Sequence, residues 1–363
     1  MDEAPPIDVP EAFTELKPTP RRPSRLRRVF RNRFGHWRAG WRLLVYFTTA
    51  FVIANAISAP LKLFLPNPND VPFSSWAHLS GYLVGGVAMI LAGLALLRWF
   101  DRRPTGLLGL GFGRGWLREV SIGLVAGVVM TGCVVLILVA TGSISVEVSP
   151  DLGASMAALP LYLALFALAA AMEELLFRGY PLQAFAEGSR RWIAAVGLCL
   201  PFTIGHYSNP DLTVFGALNI FLLGILLTVT YFKTLRLWLP IGLHLSWNLA
   251  QSWLWGFDVS GIAIENQLFV INPTGAEVLT GGGFGLEGSA LTTLVVAAVL
   301  GWLLFGRTLD STPEMKALWA SYPSGFSIAP VSDAVEERQL AAGSHEATKD
   351  RSFLAEAEET TRD

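Results

Sequence analysis

The chain has 363 residues, 52% of them hydrophobic and 15% charged, with a formal net charge of −2 and a mean hydropathy of +0.46. So apolar a chain of this length excludes an ordinary soluble domain and points to an all-α, polytopic membrane helix bundle. Its two cysteines, Cys133 and Cys199, both lie inside apolar runs, which excludes a disulfide framework and a cysteine-based zinc motif.

In chain order, the first segment, "MDEAPPIDVPEAFTELKPTP", is acidic and proline-rich, unlike a cleavable signal peptide. Residues 1–40 read as a polar cytoplasmic tail. The basic stretch 21–42, "RRPSRLRRVFRNRFGHWRAGWR", reads as an anchor at the anionic inner leaflet. No nucleic-acid recognition fold accompanies that charge. Eight apolar segments then follow within 41–307, at about 42–63, 78–99, 119–141, 153–176, 191–207, 213–232, 237–256 and 287–306. Each is taken as long enough to cross a hydrocarbon core of about 30 Å, and in lipid only helices satisfy such segments' backbone groups. From 308 the chain turns polar and acidic, ending "AEAEETTRD", a composition that predicts at least partial disorder.

Loop charge tests this reading. The connections 64–77, 142–152, 207–212 and 257–286 contain no Lys or Arg. The alternate connections carry Arg98, Arg102, Arg103, Arg114 and Arg118, then Arg178, Arg190 and Arg191, then Lys233 and Arg236, and finally Arg307. By the positive-inside rule, both termini are cytoplasmic in the inner cell membrane. "GLLGLGFGRG" fits neither a dinucleotide nor a phosphate-loop pattern and is expected to be a flexible loop. Gly81/Gly85 and Gly123/Gly127 have the small-xxx-small spacing of packed membrane helices.

Ionisable groups inside spans carry the functional information, because each costs about 2.5–3.5 kcal/mol to insert at mid-bilayer. Glu173, Glu174 and Arg178 close the fourth segment, His206 closes the fifth, and His244 and Asn248 lie in the seventh. Glu174 and Arg178 are four apart with the acid first, so they pair on one helix face. Glu173 is turned about 100° away, with Phe177 four residues on, and is left to face something else. A boundary role explains Arg178 but poorly explains two glutamates followed by "LLF". His206 alone, or His244 with Asn248 alone, reads as interhelical hydrogen-bonding. Together, a free carboxylate, two histidines and an amide make a set that can activate water and stabilise an oxyanion. No serine or cysteine stands in a nucleophile setting.

The sequences "EELLFRG" (173–179), "FTIGH" (202–206) and "HLSWN" (244–248) resemble, in order, the EExxxR, FxxxH and HxxxN motifs of the CPBP family. That family comprises intramembrane proteases related to the type II CAAX prenyl endopeptidase and to bacteriocin-processing or immunity proteins of the Abi group. The resemblance spans about residues 80–255. It implies that Glu173 is a general base and that His206 assists water activation or binds a metal. It also implies that His244 and Asn248 stabilise the oxyanion while Glu174 and Arg178 orient the site. The label of metalloprotease raises a zinc ion on Glu173, His206 and His244, though no HExxH helix is present.

The expected activity is intramembrane hydrolysis of a peptide bond in a membrane-associated or CAAX-like substrate, with the site opening to the cytoplasm. The competing readings are a non-catalytic scaffold or immunity protein of the same fold, and a small-solute transporter, for which no inverted repeat is evident. The partners expected are the bilayer and a peptide or protein substrate, with no nucleic acid. One geometric demand follows. His206 lies fifteen residues past Arg191, about 22 Å at 1.5 Å per residue. The fifth helix must therefore tilt, start below the membrane or bend at Pro201 for His206 to meet Glu173.

Overall fold

A computed structural model describes residues 29–32, 36–306 and 309–320; residues 1–28 and 321–363, with most of both tails, lie outside the described residues. The helices in order are α1 (Ala39–Leu61), α2 (Trp76–Ala95), α3 (Trp116–Ala140), α4 (Leu152–Phe177), α5 (Tyr180–Gly188), α6 (Arg191–Ile204), α7 (Val214–Thr234), α8 (Trp238–Leu249), α9 (Ala290–Phe305) and α10 (Pro313–Ala320); α5 was not expected, and α10 orders the start of the segment from 308, where Met315 and Trp319 are buried. α2 continues through a π-helical turn, Leu96–Phe100, and α8 through another, Ala250–Leu254. Five helices are long and apolar enough to cross a membrane, those beginning at Ala39, Trp76, Trp116, Leu152 and Val214. This is a multi-pass membrane protein. The count of eight full spans is not reproduced: α6 and α9 are apolar but short, and α8 turns π-helical after Leu249.

Helix starts fall into two chemical classes. α2, α4, α7 and α9 begin on the side whose connections carry a single basic residue, Lys62, just past the end of α1. Each has a side-chain cap there, with Ser75, Asp151, Thr213 and Ser289 accepting from the backbone N–H of His78, Ala154, Gly216 and Leu291. Such caps satisfy amide donors that the first helical turn leaves orphaned. The helices that start on the basic side, α1, α3, α6 and α8, have no side-chain cap.

The Lys/Arg-poor side also carries the only sheet among the described residues. β1 (Ile144–Val148) pairs antiparallel with β2 (Phe269–Pro273), in register from Ile144↔Pro273 to Val148↔Phe269. The 257–286 connection thus folds back over the bundle. Gly256, at φ +80°, lies so near Phe269 that a Cβ would stand 2.2 Å from its carbonyl oxygen, which restricts that turn to glycine.

α3 packs along α8, the helix that carries His244 and Asn248. A Cβ on Gly123 would stand 2.4 Å from the Leu239 carbonyl oxygen, and one on Gly127 would stand 2.1 Å from Ser246 Oγ. The Gly123/Gly127 spacing therefore does what was expected of it. The other pair is split: Gly85 packs against Met172, while a Cβ on Gly81 would meet open space.

Two readings of the basic side need correction. Arg42, from the stretch read as a leaflet anchor, does not face the leaflet, and Arg103 is not an exposed loop charge. Both are buried, paired with Glu187 of α5, and Arg42 also pairs with Asp101 and donates to Tyr180 Oη at 3.0 Å. A buried guanidinium requires such partners, and the cluster ties α1 to α5. The 106–115 loop is not loose either. Gly109 O accepts from the Leu237 N–H at 3.0 Å, Gly111 O from Trp238 Nε1 at 3.0 Å and Arg114 O from Arg236 Nη1 at 2.8 Å.

Candidate active site

Helix period places Glu173 and Glu174 on different faces of α4, and the structure separates them as that period requires. Glu174 is fully buried. Its Oε1 accepts from Arg178 Nη1 at 3.0 Å and from His244 Nδ1 at 3.0 Å. Arg178 is equally buried, and its remaining donors reach α7: Nη2 to Gly224 O at 2.9 Å and Nε to Thr228 Oγ1 at 3.3 Å. Its guanidinium lies 4.7 Å from the Phe202 ring centroid, a favourable cation–π distance. Gly224 makes this possible, because a Cβ there would stand 3.3 Å from Nη2. Arg178 thus knots α4, α6 and α7 together.

Glu173 stands on the other face, its side chain 24% exposed, with Oε2 3.7 Å from His244 Nε2. The His244 ring lies between the two carboxylates: Nδ1 is held by Glu174, and Nε2 is turned toward Glu173. That hydrogen bond fixes which ring nitrogen is presented to the cavity.

Glu173, His206, His244 and Asn248 all line one cavity of about 350 Å³. His206 reaches this cavity from beyond the far end of α6. α6 has only 14 residues, about 21 Å, with Pro201 in its last turn, and His206 follows in the turn beyond it. His206 Nδ1 lies 2.8 Å from Phe202 O, and its ring packs edge-on against Phe202 at 5.0 Å. Phe202 therefore contacts Arg178 on one side and His206 on the other. The first residue of FxxxH is a packing element that couples two motifs.

The set raised for zinc does not close into one. Among the described residues no group of three or more His, Cys, Asp or Glu side chains is placed to hold a metal ion. Glu173, His206 and His244 line the same cavity without completing a ligand cluster. The residues as placed do not fit a resident zinc, and no step below is routed through one.

Sequence reading missed Glu287. It sits in a short 3-10 turn, Leu286–Gly288, buried and lining the cavity. It accepts from Trp247 Nε1 at 3.1 Å and from Ser260 Oγ at 2.5 Å. Trp247 lies between His244 and Asn248 on α8, so Glu287 braces that helix from the far wall. A lone glutamate at the start of the last apolar run was its only sequence signal. Tyr82 and Phe73 complete the wall nearest α2.

Residues 155–250 match the family model described as Type II CAAX prenyl endopeptidase Rce1-like. All three motifs fall inside that interval. The matched segment is similar to the domain of that protease family. No curated protein and no solved structure matches the chain. The Rce1-like domain runs from the first turn of α4 through the end of α8, and the cavity lies largely within it. Glu287, Phe73 and Tyr82 lie outside the match and are additions by the flanking elements.

Proposed function

We propose that this chain is an intramembrane endopeptidase of the inner cell membrane, with both termini cytoplasmic, that hydrolyses a peptide bond of a membrane-associated polypeptide. The observation carrying this reading is the division of labour between adjacent glutamates. Glu174 is consumed by Arg178 and His244, while Glu173 is left facing a cavity shared with His206, His244 and Asn248.

In this reading Glu173 takes a proton from a cavity water, and the resulting hydroxide attacks the scissile carbonyl carbon. Negative charge then develops on the carbonyl oxygen, where the Asn248 amide N–H and the cavity-facing side of His244 stabilise it. Removing one such donor typically costs about 2.7–4 kcal/mol of barrier. His206 assists water on the opposite wall. The proton held by Glu173 passes to the leaving amine, so the carboxylate is regenerated and no covalent intermediate forms. Arg178 and Glu174 act through His244 by holding its ring.

Glu173→Gln keeps shape and removes the base. Comparison of membrane proteomes from wild-type and Glu173→Gln cells should show one precursor accumulating in the variant. If no precursor accumulates and the variant retains the wild-type phenotype, the chain is a scaffold of the same fold.

A further inference from the structure

The loops that line the cavity all come from one side of the bundle. Phe73, Asn209, Ser260, Ile262 and Glu287 lie in or beside the 64–77, 207–212 and 257–286 connections, which lack Lys and Arg. No lining residue comes from a connection that carries them. Toward that basic side the cavity floor is closed. Arg178 is 1% exposed, and beneath it Tyr180, Leu182, Tyr231, Leu235 and Leu237 form a buried apolar core. Gln183 bridges this layer, donating to Leu107 O at 2.5 Å and to Tyr231 Oη at 3.2 Å. On the opposite side Gly205 is exposed, and His206, Asn209, Ser260 and Ile262 are only half-buried.

Loop charge fixes sidedness independently of the cavity, because Lys/Arg-bearing connections stay cytoplasmic. We infer that the cavity opens to the extracytoplasmic side and takes its scissile bond from an exported, membrane-anchored polypeptide rather than from a cytosolic prenylated tail. This reverses the cytoplasmic opening expected from the sequence. It rests on the endopeptidase reading for its substrate, but not for its geometry. Glu173, near the cytoplasmic end of α4, lies at the bottom of the cavity, and His206, at the outer end of α6, lies near its mouth. An extended segment entering from outside passes His206 and Asn248 before reaching Glu173. The walls are largely apolar, with Phe166, Met172, Leu223 and Leu227, so side chains flanking the bond are apolar too.

Sealed right-side-out and inverted membrane vesicles, treated with a membrane-impermeant maleimide, test this. Three variants of the full chain are used: Ile262→Cys in the mouth, Tyr207→Cys (67% exposed beside it) and Phe112→Cys (69% exposed in a basic-side loop). Unsubstituted chain, with Cys133 and Cys199 in helices, gives the background. Tyr207→Cys and Ile262→Cys should label in right-side-out vesicles and be protected in inverted ones, with Phe112→Cys the reverse. Tyr207→Cys labelling only in inverted vesicles would overturn the orientation. Tyr207→Cys labelling from outside while Ile262→Cys stays unlabelled would overturn the open mouth. Labelling is read without turnover, so a failed protease reading (an inert Glu173→Gln substitution) is seen separately. If both readings hold, maleimide at Ile262→Cys stops precursor cleavage from the outer face.

Discussion

Arg178→Met is the most informative structural perturbation. The wild-type guanidinium is buried and makes one ion pair and two further hydrogen bonds, at 3.0, 2.9 and 3.3 Å. Removing it leaves Glu174, fully buried, with His244 as its remaining polar partner. Breaking a buried pair by deleting one member costs about 3–5 kcal/mol, because the other charge is left uncompensated. That is a large share of the roughly 5–15 kcal/mol by which folded domains are stable. Arg178→Met should therefore lower unfolding free energy by about 3–5 kcal/mol, read by denaturant or SDS titration in mild detergent. Arg178→Met with Glu174→Gln removes the stranded charge and should recover most of that loss, since a neutral amide oxygen still accepts from His244. Activity should not recover, because the substituted amide orients His244 without the carboxylate's charge. A single variant as stable as wild type, or a double variant no more stable than the single, would refute the knot described here.

Other outcomes follow from particular contacts. Gly127→Leu places atoms where Ser246 and Trp247 now lie. It should cost about 1–3 kcal/mol by overpacking, seen as a lower melting temperature, and should reduce cleavage by shifting α8. Glu287→Ala strands the Trp247 indole N–H and the Ser260 hydroxyl. The orphaned Trp247 donor, which is buried, costs about 1–3 kcal/mol, and Glu287→Gln, which keeps an acceptor, should cost visibly less in the same unfolding assay. Burial, and then the neighbouring Asp211, push the Asp258 carboxyl above its ordinary value. A raised carboxyl favours the protonated fold, so its contribution is present at low pH and lost as pH rises through the folded-state value. Melting temperatures from about pH 4 to about pH 7 should show that loss in wild type and not in Asp258→Asn.

Much of this was legible in the sequence, for physical reasons that can be named. Helix boundaries agree within a few residues because long apolar runs leave backbone no alternative in lipid, as at 116–140 against the expected 119–141. The split between Glu173 and Glu174 followed from helical period alone. What was not legible depends on contacts between segments distant in sequence. Period could pair Glu174 with Arg178, but not show that the same carboxylate oxygen also holds His244, 70 residues away. Glu287 belonged to no periodic pattern, since it lies in a 3-10 turn. Arg42 looked like leaflet-facing charge and Arg103 like an ordinary loop charge, because local sequence does not reveal Glu187 waiting for them. The burial of Arg178 at the end of α4 was not legible either, because the residues that cover it come from other segments of the chain.

The central claim is that Glu173 is the base of a water-driven peptidase. The most direct measurement reconstitutes wild-type and Glu173→Gln proteins in liposomes with the precursor that accumulates in the variant's cells. Cleavage products are then identified by mass spectrometry. Wild type should give a single new terminus and Glu173→Gln none, at equal folded protein. Equal cleavage by both would contradict it.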